Sequence, residues 1–266
     1  MEQRRLAFLL LVALSGCSGD GNPERTSNQN ERAPATPILT PALAPSSAES
    51  VSLERKTATL GKTGELGASI SYPEVKGAAN PELRNRIQEA MGLKAGTGHS
   101  LDEWQADYEG LSSIDYEVHY NDRSLLSITY ELEGAGAGPW ASSESLVVDL
   151  NTGRRLAASD LFKKDMLPEL AAKLDATLQA EIDKIRRKWT EETGLDWSEA
   201  GVEDDWSFQV KDLDHFSLDD RGVTFSMEFG LPSLKKDLEP SGRYFLSHEH
   251  LAPYMERDGP LSRFLD

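Results

Sequence analysis

Ile114-Asp115-Tyr116-Glu117-Val118-His119-Tyr120-Asn121-Asp122-Arg123-Ser124-Leu125-Leu126-Ser127-Ile128-Thr129-Tyr130-Glu131-Leu132 is the stretch that decides the fold class. Ile114, Tyr116, Val118 and Tyr120 alternate with polar residues, and so do Leu126, Ile128, Tyr130 and Leu132. A period of two in β-branched and aromatic residues is the mark of half-buried strands. Asn121-Asp122 between the runs is a turn signal, so the stretch reads as a β-hairpin. A Gly-rich break, Gly134–Gly138, follows. Leu146, Val148 and Leu150 form the next strand, and Asn151-Thr152-Gly153 turns it into Arg154-Arg155-Leu156.

Upstream, Ala68–Tyr72 alternates and is stopped by Pro73, which predicts a short strand. Asn80-Pro81-Glu82 is a helix start: a cap, a proline at the first helical position and an acid in the first turn. Leu83, Ile87 and Met91 then share one face, and the helix ends near Gly92–Gly96. Downstream, Ser159 or Asp160 starts a helical region in which Pro168 marks a kink or restart. Leu167, Leu170, Leu174, Leu178, Ile182, Ile185 and Trp189 follow the spacing of one long amphipathic helix. After a loop over Thr190–Asp205, Trp206, Phe208 and Val210 alternate, then Phe216 and Leu218. Past the turn at 219–222, Val223, Phe225, Met227 and Phe229 do the same. A last strand covers about Arg243–Leu246, and Ser247 caps a short helix reaching Tyr254. The expectation is an α+β fold: an antiparallel sheet built from hairpins, with one long amphipathic helix and shorter helices packed on it.

The N-terminal sixty residues are different in kind. Arg4 and Arg5 precede a short apolar run, Leu6–Leu14, and then comes Leu14-Ser15-Gly16-Cys17. This resembles a bacterial lipoprotein signal peptide over residues 1–16, with Cys17, the single cysteine of the chain, as the lipidated residue. Several acyl chains on one residue give stable anchoring, which one chain does not. Ser18 stands where an Asp would retain an enteric lipoprotein at the inner membrane. That points to an outer-membrane address, facing the periplasm or the exterior. Residues 17–60 read as the lipidated Cys and a Pro/Ser-rich disordered tether, because no aromatic lies between Phe8 and Tyr72. About forty such residues span roughly 35 Å. Residues 61–266 are the folded domain.

Charge and composition narrow the function. The 266 residues hold 28 Lys and Arg against 45 Asp and Glu, a net charge of −17. Residues 1–16 contribute Arg4, Arg5 and Glu2, a net +1, so the processed chain stands at −18. That balance argues against nucleic acid, whose phosphates need clustered cations. It favours a basic partner. One cysteine leaves no internal disulfide. No run of 18 apolar residues exists to span a bilayer.

Motifs for cofactors are weak. Gly61-Lys62-Thr63 lacks the upstream Gly of a phosphate-binding loop, and Gly134–Gly138 lacks the spacing of a dinucleotide fingerprint. His248-Glu249-His250 puts its histidines two apart rather than four, without a third ligand. Asp212-Leu213-Asp214 lacks the Gly and Glu of a calcium loop. No nucleotide, cofactor or metal is implied, and no catalytic residue is selected. What stands out is the acidic stretch Thr190–Asp220, with one basic residue, Lys211, and with Trp197 and Trp206 inside it. Acid with tryptophan suits docking of a basic protein, since charge speeds the encounter and Trp supplies an anchor. Trp197, Glu199, Glu203, Asp204 and Asp205 are the candidate partner-binding residues. The plainer alternative is a solvated acidic loop with Trp206 in the core.

The C-terminal two-thirds also resembles a known family. The segments are Ile70-Ser71-Tyr72-Pro73-Glu74-Val75 with the Asn80 helix, Tyr116–Asn121, and Leu125-Leu126-Ser127-Ile128. Val148–Arg154 with Ser159-Asp160-Leu161-Phe162, Phe225–Phe229, and Gly242 before Leu251-Ala252-Pro253-Tyr254 complete the set. Over about residues 66–256 these are similar to the extracytoplasmic domain family of unknown function. That family occurs in the lysozyme-sensing anti-sigma factor RsiV and beside the catalytic module of the peptidoglycan deacetylase PdaC. Two features depart from the family: Gly134–Trp140 has no His, and the proline-rich entry to the last strand is reduced to Glu239-Pro240-Ser241-Gly242. The resemblance implies a binding or sensing module of the cell envelope; with the negative charge of the chain, the expectation is a non-catalytic module whose partner is a basic protein such as a lysozyme-like hydrolase. The resemblance implies neither sigma-factor binding nor deacetylation. A structural envelope protein without a small ligand, or a cell-wall enzyme using paired carboxylates, remain the alternatives.

Overall fold

The hairpin expected from residues 114–132 lies at the centre of a six-stranded sheet in the computed structural model, which describes residues 50–61, 67–78, 80–136, 138–202 and 205–265. In chain order the elements are β1 (Leu53–Thr59), β2 (Ser69–Val75), α1 (Pro81–Met91), α2 (Leu93–Thr97), α3 (Leu101–Ala106), β3 (Leu111–Asp122), β4 (Leu125–Ala135), β5 (Pro139–Asp149), β6 (Arg154–Arg155), α4 (Ala158–Leu161), α5 (Leu167–Thr193), β7 (Phe216–Leu218), β8 (Gly222–Ser226), β9 (Arg243–Ser247) and α6 (His248–Leu251). The sheet runs β1-β2-β3-β4-β5-β6, and β7-β8-β9 form a second sheet. Every pairing is antiparallel except β2 with β3, where the chain crosses over through α1, α2 and α3. The α+β class, the antiparallel-dominated sheet and the single long helix are therefore as the sequence reads.

Both faces of β4 are covered at its start. Leu126, Ile128 and Tyr130 join Leu146 and Val148 of β5 and Leu83, Ile87 and Met91 of α1 in one core. Leu125 and Val147 face the opposite way, into a second core with Leu170, Leu174, Leu178 and Ile182 of α5 and Phe216, Val223 and Phe225 of the small sheet. Ser127, on this second face, is fully buried, and its hydroxyl accepts the Leu218 N–H at 3.0 Å. A buried edge donor of β7 is thereby satisfied.

The helices start and stop as their caps dictate. Asn80 accepts the Leu83 N–H at 2.7 Å at the start of α1. Pro168 sits in the first turn of α5, and Gly194, at φ 71°, ends it. Leu167, Leu170, Leu174, Leu178 and Ile182 are buried along α5, while Ile185 and Trp189 are half-buried.

Several expectations are corrected. The folded domain begins before residue 61: Val51 and Leu60 are buried, and β1 lies within the segment read as tether. Asn121 is the reason. Its side-chain nitrogen donates to Val51 O at 2.7 Å and its oxygen accepts Val51 N–H at 3.0 Å, clamping residue 51 to β3. Asn121 is thus not in the turn. The hairpin turns on Arg123 and Ser124, both at positive φ (46° and 61°), which matches the twist of the flanking strands. A bulge between Val118 and Tyr120 moves Tyr120 to the face that meets the second core.

β2 passes through Pro73 instead of stopping. The proline carbonyl accepts from Gln88 Nε2 at 3.1 Å, and Gln88 Oε1 accepts Val75 N–H at 2.8 Å. A helix side chain takes the place of the next strand, so the missing N–H falls where no strand needs it. Residues 206–210 are not a strand. Phe208 N–H goes to Asp175 Oδ1 at 2.8 Å and Trp206 O accepts from Gln179 at 2.7 Å, so α5 satisfies this backbone locally. The β8 strand ends at Ser226, before Met227 and Phe229, and α6 ends at Leu251 rather than Tyr254.

Candidate partner-binding face

The face of the large sheet that meets the second core is apolar only at one end. Its other end is acidic. On β3 and β4 the period of two puts Asp115 and Glu117 beside Glu131 and Glu133, and the register sets Asp115 directly across from Glu131. Like charges directly opposed on neighbouring strands destabilise a sheet. Asp115 and Glu117 side chains are 60 % and 70 % exposed, so the carboxylates are presented to solvent rather than used inside the fold.

One guanidinium answers this array. Arg55 of β1 pairs with Asp115, donates to Tyr116 O at 3.1 Å, and lies over the Tyr116 ring at 4.4 Å. The Asp115 hydrogen bond holds the Arg55 pKa above its ordinary value. The strand that the sequence read as tether therefore supplies a counter-charge to this array. A depression of about 270 Å³ is lined by Ser69, Ser71, Ser113, Asp115, Glu131 and Glu133.

Between the acidic and apolar ends runs a row of polar side chains. His119 Nε2 and Thr129 Oγ1 are 2.8 Å apart, as are Thr129 Oγ1 and Ser145 Oγ, and Glu117 stands 3.9 Å from His119 Nδ1. The order of acid, imidazole and hydroxyl is that of a nucleophilic triad, yet its geometry serves another purpose. Thr129 and Ser145 are 4 % and 8 % exposed and bond each other, and the acid lies beyond hydrogen-bond reach of the ring. The row fixes the strands beneath the acidic face.

The residues singled out from the sequence are placed as follows. Cys17, Glu203 and Asp204 lie outside the described residues, as do the segment read as a signal peptide and, up to residue 49, the segment read as a tether. Trp197 stands in a short 3₁₀ turn after α5, half-buried, its ring edge-on to Trp189 at 6.4 Å. Glu199 and Asp205 are exposed, and Glu199 accepts the Asp196 N–H at 3.4 Å. Asp196 in turn accepts from the Ser198 hydroxyl and backbone, which hold its pKa below the ordinary value. The turn is thus self-capped. Trp206 packs on Phe229 at 4.9 Å at the border of the second core, as the plainer reading has it.

His248 and His250 part company on α6. His248 is buried, stacked on Phe264 at 4.2 Å, and its pKa is lowered by burial, while His250 meets Ser247 Oγ at the surface. Among the described residues no group of His, Cys, Asp and Glu is arranged to hold a metal ion, and no helix is long and apolar enough to cross a membrane. Asp212 and Asp214 accept backbone N–H groups of Gln209 and Ala158. Gly134 is a close-packing glycine: a Cβ there would come within 2.2 Å of Gly110 O and of the Trp140 ring.

The acidic face was legible in part. Asp115, Glu117, Glu131 and Glu133 are the polar partners of the alternating runs, so the period alone puts each pair on one side of its strand. Which residues oppose each other, and that Arg55 reaches them, required the register.

These features define an α+β domain with an acidic, solvent-facing end to its central sheet. No family model matches the chain, and no curated protein matches it. Among solved structures, the chain is similar to a member of the DUF3298 family from Bacteroides fragilis, with 13 % identity and a TM-score of 0.47 over 81 % of this chain and 98 % of that one. It is similar also to a DUF3298 family protein from Pseudomonas aeruginosa, with 14 % identity and a TM-score of 0.48 over 79 % of this chain and 96 % of that one. DUF3298 is the family of the RsiV extracytoplasmic domain.

Proposed function

We propose that this protein is a lipid-anchored envelope lipoprotein whose domain is a non-catalytic binding module for a strongly basic protein. A lysozyme-like hydrolase is the partner class to test first. The observation that carries the reading is the acidic array of β3 and β4, where Asp115 opposes Glu131 beside Glu117 and Glu133. An arrangement that costs sheet stability and lies in solvent is expected where a partner compensates it. The net charge of −17 acts in the same direction, steering a cationic protein toward the face. Acylation at Cys17 and an outer-membrane address place the module where envelope hydrolases act. The Trp197 turn, with Glu199 and Asp205, is a second contact region for the same partner.

The test is binding of hen egg-white lysozyme to the immobilised protein at low and at physiological salt. Wild type binds with a fast, salt-sensitive association, and Glu131→Gln with Glu133→Gln slows that association without an equal effect on dissociation. Absence of binding at either salt removes the lysozyme reading. Binding that the two substitutions leave unchanged removes the face.

A further inference from the structure

The last residues of the chain fold back against the loop that joins α4 to α5. Phe162 and Met255 form an isolated β-bridge, Lys163 N–H donates to Tyr254 O at 2.8 Å, and Glu256 N–H donates to Leu161 O at 3.1 Å. Leu261 is fully buried and the Phe264 ring is stacked on His248. Between these segments lies a cleft of about 790 Å³. Lys163, Arg257 and Arg263 line it together with Ala252, Met255, Ser262 and Leu265.

The charge of this cleft runs against that of the molecule. The chain has 45 acids and 28 bases, yet among the described residues every charged side chain lining the cleft is a cation. Glu256 and Asp258 flank Arg257 in the chain, and neither lines it. Two of the three cations are tied to the surrounding chain. Lys163 Nζ donates to Pro253 O at 2.7 Å, and the Arg263 carbonyl accepts from Arg123 Nη1 at 2.6 Å. Lys163 thus keeps two of its three donors for a ligand. Three cationic side chains line this one cleft and, among the described residues, no carboxylate does, which makes it complementary to an anion.

We infer that this cleft, with Arg257 and Arg263 on one segment and Lys163 on the other, binds a phosphate group carried on a partly apolar body. Guanidinium forks match the oxygens of a phosphate, the ammonium adds a point charge, and the three acceptor oxygens suit three cations. Met255 and Leu265 give the body of the ligand an apolar surface. The volume is that of a site for a small organic molecule, well above the needs of orthophosphate alone. Such a group occurs on a free phosphorylated polyol and on a phospholipid headgroup.

The experiment uses the full chain with Cys17→Ala, so that no acyl chain contributes. One arm titrates glycerol 3-phosphate by calorimetry. The other measures sedimentation with phosphatidylcholine vesicles with and without phosphatidylglycerol. A protein of net charge −17 is repelled by anions in general, and binding that the substitutions in the cleft remove reports a local site. The expected result is that Arg257→Gln with Arg263→Gln lowers affinity about tenfold or more, the loss of charge-assisted bonds. Lys163→Gln, from the opposite wall, weakens binding as well. Loss in the first arm identifies a free phosphate ligand, and loss in the vesicle arm alone identifies a headgroup. No binding in either arm, or binding that both variants leave intact, overturns the inference.

Discussion

Glu131→Gln is expected to stabilise this domain while weakening the proposed binding of a basic partner. Asp115 and Glu131 face each other across β3 and β4. Two unit charges about 6 Å apart in water repel by roughly 0.7 kcal/mol, within the ~0.2–1 kcal/mol typical of cross-strand pairs. Arg55 already neutralises part of the Asp115 charge, so the wild-type gain lies at the lower end. In an Arg55→Ala background the repulsion is unmasked and the same substitution gains more. In a domain of this size about 0.7 kcal/mol corresponds to a rise in Tm of roughly 2 °C. The assay is a double-mutant cycle of thermal melts at low salt, repeated near 1 M salt, where the screening length falls to about 3 Å. The gain from Glu131→Gln should vanish at high salt and be larger without Arg55. A gain that persists in salt, or one that Arg55→Ala leaves unchanged, refutes the electrostatic account of the face.

Three further outcomes follow from single residues. Tyr130 is fully buried and its hydroxyl donates to Met91 O at 2.9 Å, with burial pushing its pKa well up, so Tyr130→Phe should cost about 1–3 kcal/mol in denaturant unfolding by leaving that carbonyl unpaired; an unchanged midpoint contradicts this. Asp160 is gripped by both Arg154 nitrogens at 2.8 and 2.9 Å and accepts Ala157 N–H at 2.9 Å. The Arg154 bonds, aided by that N–H, hold its carboxyl below the ordinary range against desolvation. Its contribution is therefore complete above the unfolded carboxylate pKa and fades as pH falls through the depressed folded value. Asp160→Asn should accordingly destabilise near neutrality and converge on wild type in acid; a pH-independent difference contradicts the assignment. Cys17→Ala should abolish acylation and release the protein from the membrane fraction, as read by labelling with a tagged fatty acid and by fractionation; retention of the label overturns the anchoring proposal.

Local rules carried the sequence reading where one segment holds all the information. The alternation of Ile114–Val118 and Leu126–Leu132 specifies β3 and β4, because a pleated strand sends successive side chains to opposite faces whatever its neighbours are. Asn80-Pro81 specifies the start of α1, and the leucine spacing from Leu167 specifies α5, because caps and helical period are also local. Tertiary structure decided everything that depended on a partner distant in sequence. Asn121 reads as a turn residue and serves as a clamp, because Val51, seventy positions away, takes both of its hydrogen bonds. Trp206–Val210 alternates like a strand and is none, because Asp175 and Gln179 of α5 satisfy its backbone first. The candidate face shows the same division. Period two places Asp115 with Glu117 and Glu131 with Glu133, but strand register opposes one pair to the other, and a strand drawn from the supposed tether brings Arg55 to them.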